Sequence, residues 1–149
     1  METDKVIGII GENCTGKSTL AQAIQDAFGG EILTGKDYLR LAKSESMAAA
    51  LFRKKLKAAL TGDSVIYVIS EKEHLAFLPE GSVTILVTAS LDTIKERFRS
   101  RMRGNLPAPV EAMLEKNHGM FDDGDYSYRF HSDRDDPAGI VAQLQQLGR

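Results

Sequence analysis

The sequence predicts an α/β fold: a three-layer α/β/α sandwich around a mostly parallel five-stranded sheet. Three observations point to it. Apolar, β-branched runs recur along the chain, in KVIGII (5–10), SVIYVIS (64–70) and VTILVT (83–88). Such runs suit strands buried on both faces. Segments of helical apolar spacing lie between them. The glycine-rich stretch GENCTGKS (11–18) joins the first strand to the first helix, at the strand end where parallel sheets bind ligands.

Each element has its own reason. After the strand at 5–10, Leu20, Ile24 and Phe28 recur every four residues, so a helix runs from Gly16 to Phe28. Gly29-Gly30 ends it. EILT (31–34) reads as a short second strand. Asp37 to about Leu60 reads as helix in two pieces, broken near Ser44–Ser46, and Gly62-Asp63 as a turn. The strand at 64–70 follows, then a loop at 77–82 and the strand at 83–88. Ser90 is a fitting N-cap for a helix to Met102, with Asp92 in its first turn. GNLPAP (104–109) breaks the chain, and a helix over 110–118 closes at Gly119. YSYRFHS (126–132) alternates as an edge strand does, and Pro137–Leu147 makes a last amphipathic helix.

The 149 residues suit one domain with one core. A net charge of −2 argues against a nucleic-acid partner, which would require a strong basic excess. No run has membrane-spanning length and METDK is not a signal peptide, so no membrane partner is expected. The single cysteine, Cys14, forms no internal disulfide, and a cytoplasmic location is the default. A monomer and a homodimer remain equally open.

Gly11 to Ser18 matches G-x-x-x-x-G-K-[ST], the phosphate loop, between a buried strand and a helix as its mechanism demands. Gly11 and Gly16 would let the backbone curl so that successive N–H groups point inward and, with the positive helix end, hold phosphate oxygens, which makes Gly11, Asn13, Cys14, Thr15 and Gly16 candidate nucleotide-binding residues. Lys17 would reach the β- and γ-phosphates, Ser18 would offer its hydroxyl to Mg²⁺, and Thr19 would lie near the α-phosphate. Cys14 matters for its backbone N–H rather than for its thiol. No N/T-K-x-D guanine motif and no transporter signature accompany the loop.

Two further stretches resemble the adenylate kinase group of nucleoside monophosphate kinases. Thr34-Gly35-Lys36-Asp37-Tyr38-Leu39-Arg40 is similar to that family's S-T-G-D-x-L-R with one extra residue. The resemblance implies that Thr34 and Arg40 contact the acceptor, Arg40 gripping its phosphate. Asp37 would orient the acceptor or help hold Mg²⁺, and is the candidate base for a hydroxyl acceptor. Glu96-Arg97-Phe98-Arg99-Ser100-Arg101 resembles the E-R-L-x-x-R that enters the family's lid. Arg97 then packs on the ATP adenine and Arg101 contacts its phosphates. Arg97 and Arg101, four apart, repel each other unless an anion lies between them, while Arg99 and Arg103 face solvent.

The likeness fails after the third strand. Ser70 stands where the family has a magnesium-ordering Asp, and Glu71, the nearest carboxylate, is a candidate for substrate binding or for serving the metal through water. His131 reads as structural. The resemblance implies a helical acceptor-binding region at about 35–62 and a short lid at about 98–122. The leading expectation is a kinase using ATP and Mg²⁺, with Lys17, Arg101 and Asp37 in catalysis and a nucleoside monophosphate as acceptor. Two alternatives stand beside it. One is a kinase acting on the hydroxyl of a nucleoside or other small metabolite. The other is a non-catalytic ATP-binding module.

Overall fold

A computed structural model describes residues 6–62 and 64–147. The strands are β1 (Val6–Ile10), β2 (Glu31–Thr34), β3 (Val65–Ile69), β4 (Val83–Thr88) and β5 (Tyr128–His131). They form one sheet in the order β2-β3-β1-β4-β5, and every pairing is parallel. The helices are α1 (Lys17–Phe28), α2 (Glu45–Ala59), α3 (Leu91–Arg101), α4 (Ala108–Asn117) and α5 (Pro137–Leu147). This is the predicted three-layer α/β/α sandwich.

Side chains of a strand alternate between faces, and both faces of the central strands are buried. Val6, Ile10, Tyr67 and Ile69 pack beneath α2 with Phe52, Leu56 and Phe77. Ile7, Ile9, Ile66 and Val68 pack against Leu20 and Ile24 of α1 and against Ile140 and Leu144 of α5. A smaller cluster of Cys14, Ala89, Ile94 and Leu114 seats α3 and α4 over the end of the sheet.

The predicted break near Ser44 is real: Ser44 caps α2 by accepting from the Met47 N–H, 3.4 Å. Ahead of it, Asp37–Arg40 forms a 3₁₀ turn instead of a full helix. Ser90 caps α3 as expected, accepting from the Thr93 N–H at 3.1 Å. β5 is the predicted edge strand, though shorter, and α4 starts at Ala108 after Pro107. A second 3₁₀ segment, Lys72–Phe77, occupies a stretch with no sequence expectation. Asp63, half of the expected Gly62-Asp63 turn, lies outside the described residues, as does Lys5 at the start of the first strand.

Candidate active site

The loop between β1 and α1 is built by two glycines that cannot be replaced. A Cβ on Gly11 would lie 2.5 Å from the Val87 carbonyl oxygen. Gly16 has φ +98°, the left-handed region that glycine alone enters freely. Cys14 takes a positive φ of 65° and accepts that strain within the loop.

The loop's carbonyls are held from outside. Thr15 Oγ1 and Lys17 Nζ both donate to the Glu12 carbonyl, at 2.8 and 2.5 Å. Arg97 donates to the Cys14 carbonyl at 3.1 Å and to Ser132 Oγ at 2.9 Å. Ser132 Oγ donates to the Thr15 carbonyl. The Gly11 N–H donates to Ile69 of β3. These bonds fix three carbonyls of the loop, those of Glu12, Cys14 and Thr15.

Lys17 is 7% exposed. Burial is the main cause that pushes its ammonium down to about 8, and the nearby Arg101 charge adds to this, while Cys14 and Glu12 work against it. A buried cation beside a second cation is the arrangement a polyphosphate would relieve.

Two chambers meet at this loop. One, of about 470 Å³, runs from Lys17 and Ser18 across to Thr34, Ser70, Glu71 and His74. The other, of about 410 Å³, lies between Arg97 of α3 and Phe130, Asp135 and Pro137 around β5. Gly16, Thr19 and Arg101 line both. Asn13, Cys14, Gly16, Lys17, Ser18 and Thr19 line one cavity with Thr34, Glu71 and Arg101, whereas Gly11, whose N–H is taken by Ile69, and the fully buried Thr15 do not line it.

Asp37 and Arg40 differ. Asp37 Oδ2 accepts from the Thr34 N–H at 2.7 Å, closing the turn after β2. The Arg40 side chain is 85% exposed and approaches only Asp37 Oδ1, at 3.9 Å. Neither lines the cavity. The short 3₁₀ turn is the reason: one tight turn carries Arg40 away from the strand end. Arg99 pairs with Glu96 at 2.7 Å on the surface. Lys95 joins α3 to α4 through Glu111 at 3.3 Å and Glu115 at 2.5 Å, and the Glu115 bond is the main cause that raises its pKa. His131 bonds Thr88 Oγ1 at 2.8 Å, a structural role.

Three residues, Glu12, Ser132 and His74, have no counterpart among the sequence expectations, and Gly35 was marked only as part of the Thr34–Arg40 stretch. Glu12, buried in the loop, accepts from the Gly119 N–H at 2.7 Å and contacts His118 Nδ1 at 3.3 Å. A carboxylate inside an anion cradle is itself a signal, because it must be turned away and paired. Ser132 supports the loop from outside. Gly35 and His74 line the far wall of the larger cavity, where Tyr67 donates to the Gly35 carbonyl at 2.9 Å. The i,i+3 spacing of Glu71 and His74 was their only mark.

Ser18 is exposed to the larger cavity. Its hydroxyl is an oxygen donor of the kind that suits Mg²⁺, so it fits the ion that a phosphate loop implies.

No family model matches the sequence, and no curated protein matches it. Solved structures do. A gluconokinase from Sinorhizobium meliloti is 16% identical, with a TM-score of 0.62 over 99% of this chain and 95% of that one. A shikimate kinase from Bacteroides thetaiotaomicron is 18% identical, with a TM-score of 0.59 over 95% and 96%. A sugar kinase from a Janibacter species is 16% identical, with a TM-score of 0.63 over 97% and 93%. The likeness establishes the fold, that of the small P-loop kinases.

Proposed function

We propose that the protein is an ATP-dependent kinase that phosphorylates a hydroxyl of a small metabolite. The observation that carries this reading is the single cavity that runs from the phosphate loop to an acceptor wall made by Thr34, Glu71 and His74. The solved structures of the same fold support it, since they are gluconate, sugar and shikimate kinases. The nucleoside monophosphate acceptor is the weaker reading. It requires Arg40 as a phosphate clamp, and Arg40 points to solvent.

In this reading the loop N–H groups and the α1 N-terminus hold the β- and γ-phosphates. Lys17 exchanges the Glu12 carbonyl for phosphate oxygens. Arg101, shared by both chambers, neutralises charge that spreads over the transferring phosphoryl group. Arg97 and the smaller chamber take the nucleoside end. Ser18 would hold Mg²⁺, which supplies further charge neutralisation between the phosphates. Phosphoryl transfer of this kind depends on position and electrostatics more than on covalent chemistry.

The test is an ADP-release screen with ATP and Mg²⁺ against sugar acids, polyols, nucleosides and nucleoside monophosphates. A hydroxyl acceptor is expected to raise ADP release at least tenfold over background, and Lys17→Ala to remove that rise. Stimulation by nucleoside monophosphates alone would return the acceptor assignment to the nucleotide.

A further inference from the structure

Among the described residues, two buried side-chain polar atoms have no hydrogen-bond partner: Glu71 Oε2 and His74 Nδ1. Both residues line the cavity that faces the phosphate loop. Folded proteins pair nearly all such atoms, and exceptions call for a reason. Two orphans on one cavity wall are the pattern left where a ligand completes the set.

The wall is built to hold these groups. His74 is 5% exposed, with its ring near Tyr38 and Phe77 at centroid distances of 6.0 and 6.1 Å. A Cβ on Gly35 would lie 2.7 Å from His74 Nδ1, so a bare glycine admits the imidazole. His74 Nε2 faces Glu71 Oε2 at 3.4 Å, longer than a well-formed hydrogen bond. Asp37, the other carboxylate near this wall, is already committed to the Thr34 N–H.

We propose that Glu71 receives the proton of the acceptor hydroxyl, and that His74 is the positioning residue that aims its carboxylate. The inference rests on the kinase reading above and narrows it. The acceptor is an uncharged hydroxyl of a polyol-like metabolite, because a phosphate acceptor would bring an anion against Glu71. The acceptor oxygen forms a bond to the γ-phosphorus of ATP. The bond from that phosphorus to the β,γ-bridging oxygen breaks, and ADP leaves with the electron pair. The hydroxyl proton passes to the Glu71 carboxylate and from there to water. Glu73 also offers an oxygen within 4.8 Å of the pair. It is exposed and does not line the cavity, so the pair rather than the triplet meets the ligand.

The experiment is steady-state kinetics of the wild type, Glu71→Gln, His74→Gln and His74→Ala on the acceptors found in the screen. Glu71→Gln is expected to lower kcat about 100-fold or more and to leave KM for ATP within about threefold. His74→Gln keeps an amide that donates toward Glu71 and should retain most of kcat. His74→Ala should lose about tenfold in kcat, with little change in KM for ATP. If Glu71→Gln keeps wild-type kcat on an acceptor that the wild type phosphorylates, the proton assignment falls while the kinase reading stands. If the wild type phosphorylates nothing, the kinase reading falls, and the His74 ring resonances are followed by NMR during titration with the neutral polyols xylitol and sorbitol. A shift that Glu71→Gln abolishes supports the hydroxyl site, and no shift with either probe overturns it. Tight Zn²⁺ binding that Glu73→Gln abolishes would also overturn it, since the pair would then belong to a metal.

Discussion

Lys17 shows how one residue couples charge to ligand. Its folded pKa, about 8, lies below the 10.5 of the free side chain because burial penalises the ammonium. The sign follows directly. Below about 8 both folded and unfolded chains carry the proton and the burial cost is fully present. Between about 8 and 10.5 the unfolded chain binds more protons, so this group makes folding more favourable as pH rises. A bound polyphosphate favours the charged form and lifts the pKa again. Nucleotide binding at pH 8.5 should therefore take up protons, and affinity should fall as pH rises through about 8. Calorimetry in buffers of different ionisation enthalpy reads the uptake, and Lys17→Met should abolish it. The same loop shows what was legible. The motif marked Gly11, Gly16, Lys17 and Ser18 because its spacing is set by phosphate binding, but it said nothing of Glu12. Gly35 was marked only by its stretch's resemblance, since its need for a missing Cβ depends on His74, 39 positions away.

At the scale of elements, the phosphate loop is a junction. It is bonded to β3 through Gly11, to α3 through Arg97, to the loop after β5 through Ser132, and to the end of α4 through Glu12. Strand and helix periodicity made nearly every element readable, because each pattern is local. The 3₁₀ segment at Lys72–Phe77 was not readable: it has no repeat long enough to show a period. The Glu12–Gly119 bond joins residues 107 positions apart and has no local trace. Its strength is testable. Glu12→Ala leaves a Gly119 N–H without its charged acceptor, which should cost roughly 1–3 kcal/mol. Urea unfolding should show a lower midpoint with an unchanged slope. Loss of the Glu12 charge should also lower Lys17 further, since that charge helps hold the ammonium up.

For the whole molecule, the two chambers open at different parts of one parallel sheet. β2 and β3 end at the larger cavity and β5 at the smaller chamber, and β1 with its loop lies between them. A ligand in the loop therefore ties these parts together, and its binding energy adds to global stability. At a hundredfold excess over Kd the gain is about 2.7 kcal/mol. For a chain of this size that is a rise in Tm of roughly 5–10 °C. Scanning calorimetry with ATP and Mg²⁺ should show this rise in the wild type. Lys17→Ala should lose most of it. Glu71→Gln should keep it, because its carboxylate belongs to the opposite wall. Equal shifts in all three proteins would mean that the nucleotide binds elsewhere. Loss of the shift in Glu71→Gln alone would mean that the carboxylate serves the donor phosphates, and the division of the cavity into donor and acceptor sides would have to be redrawn.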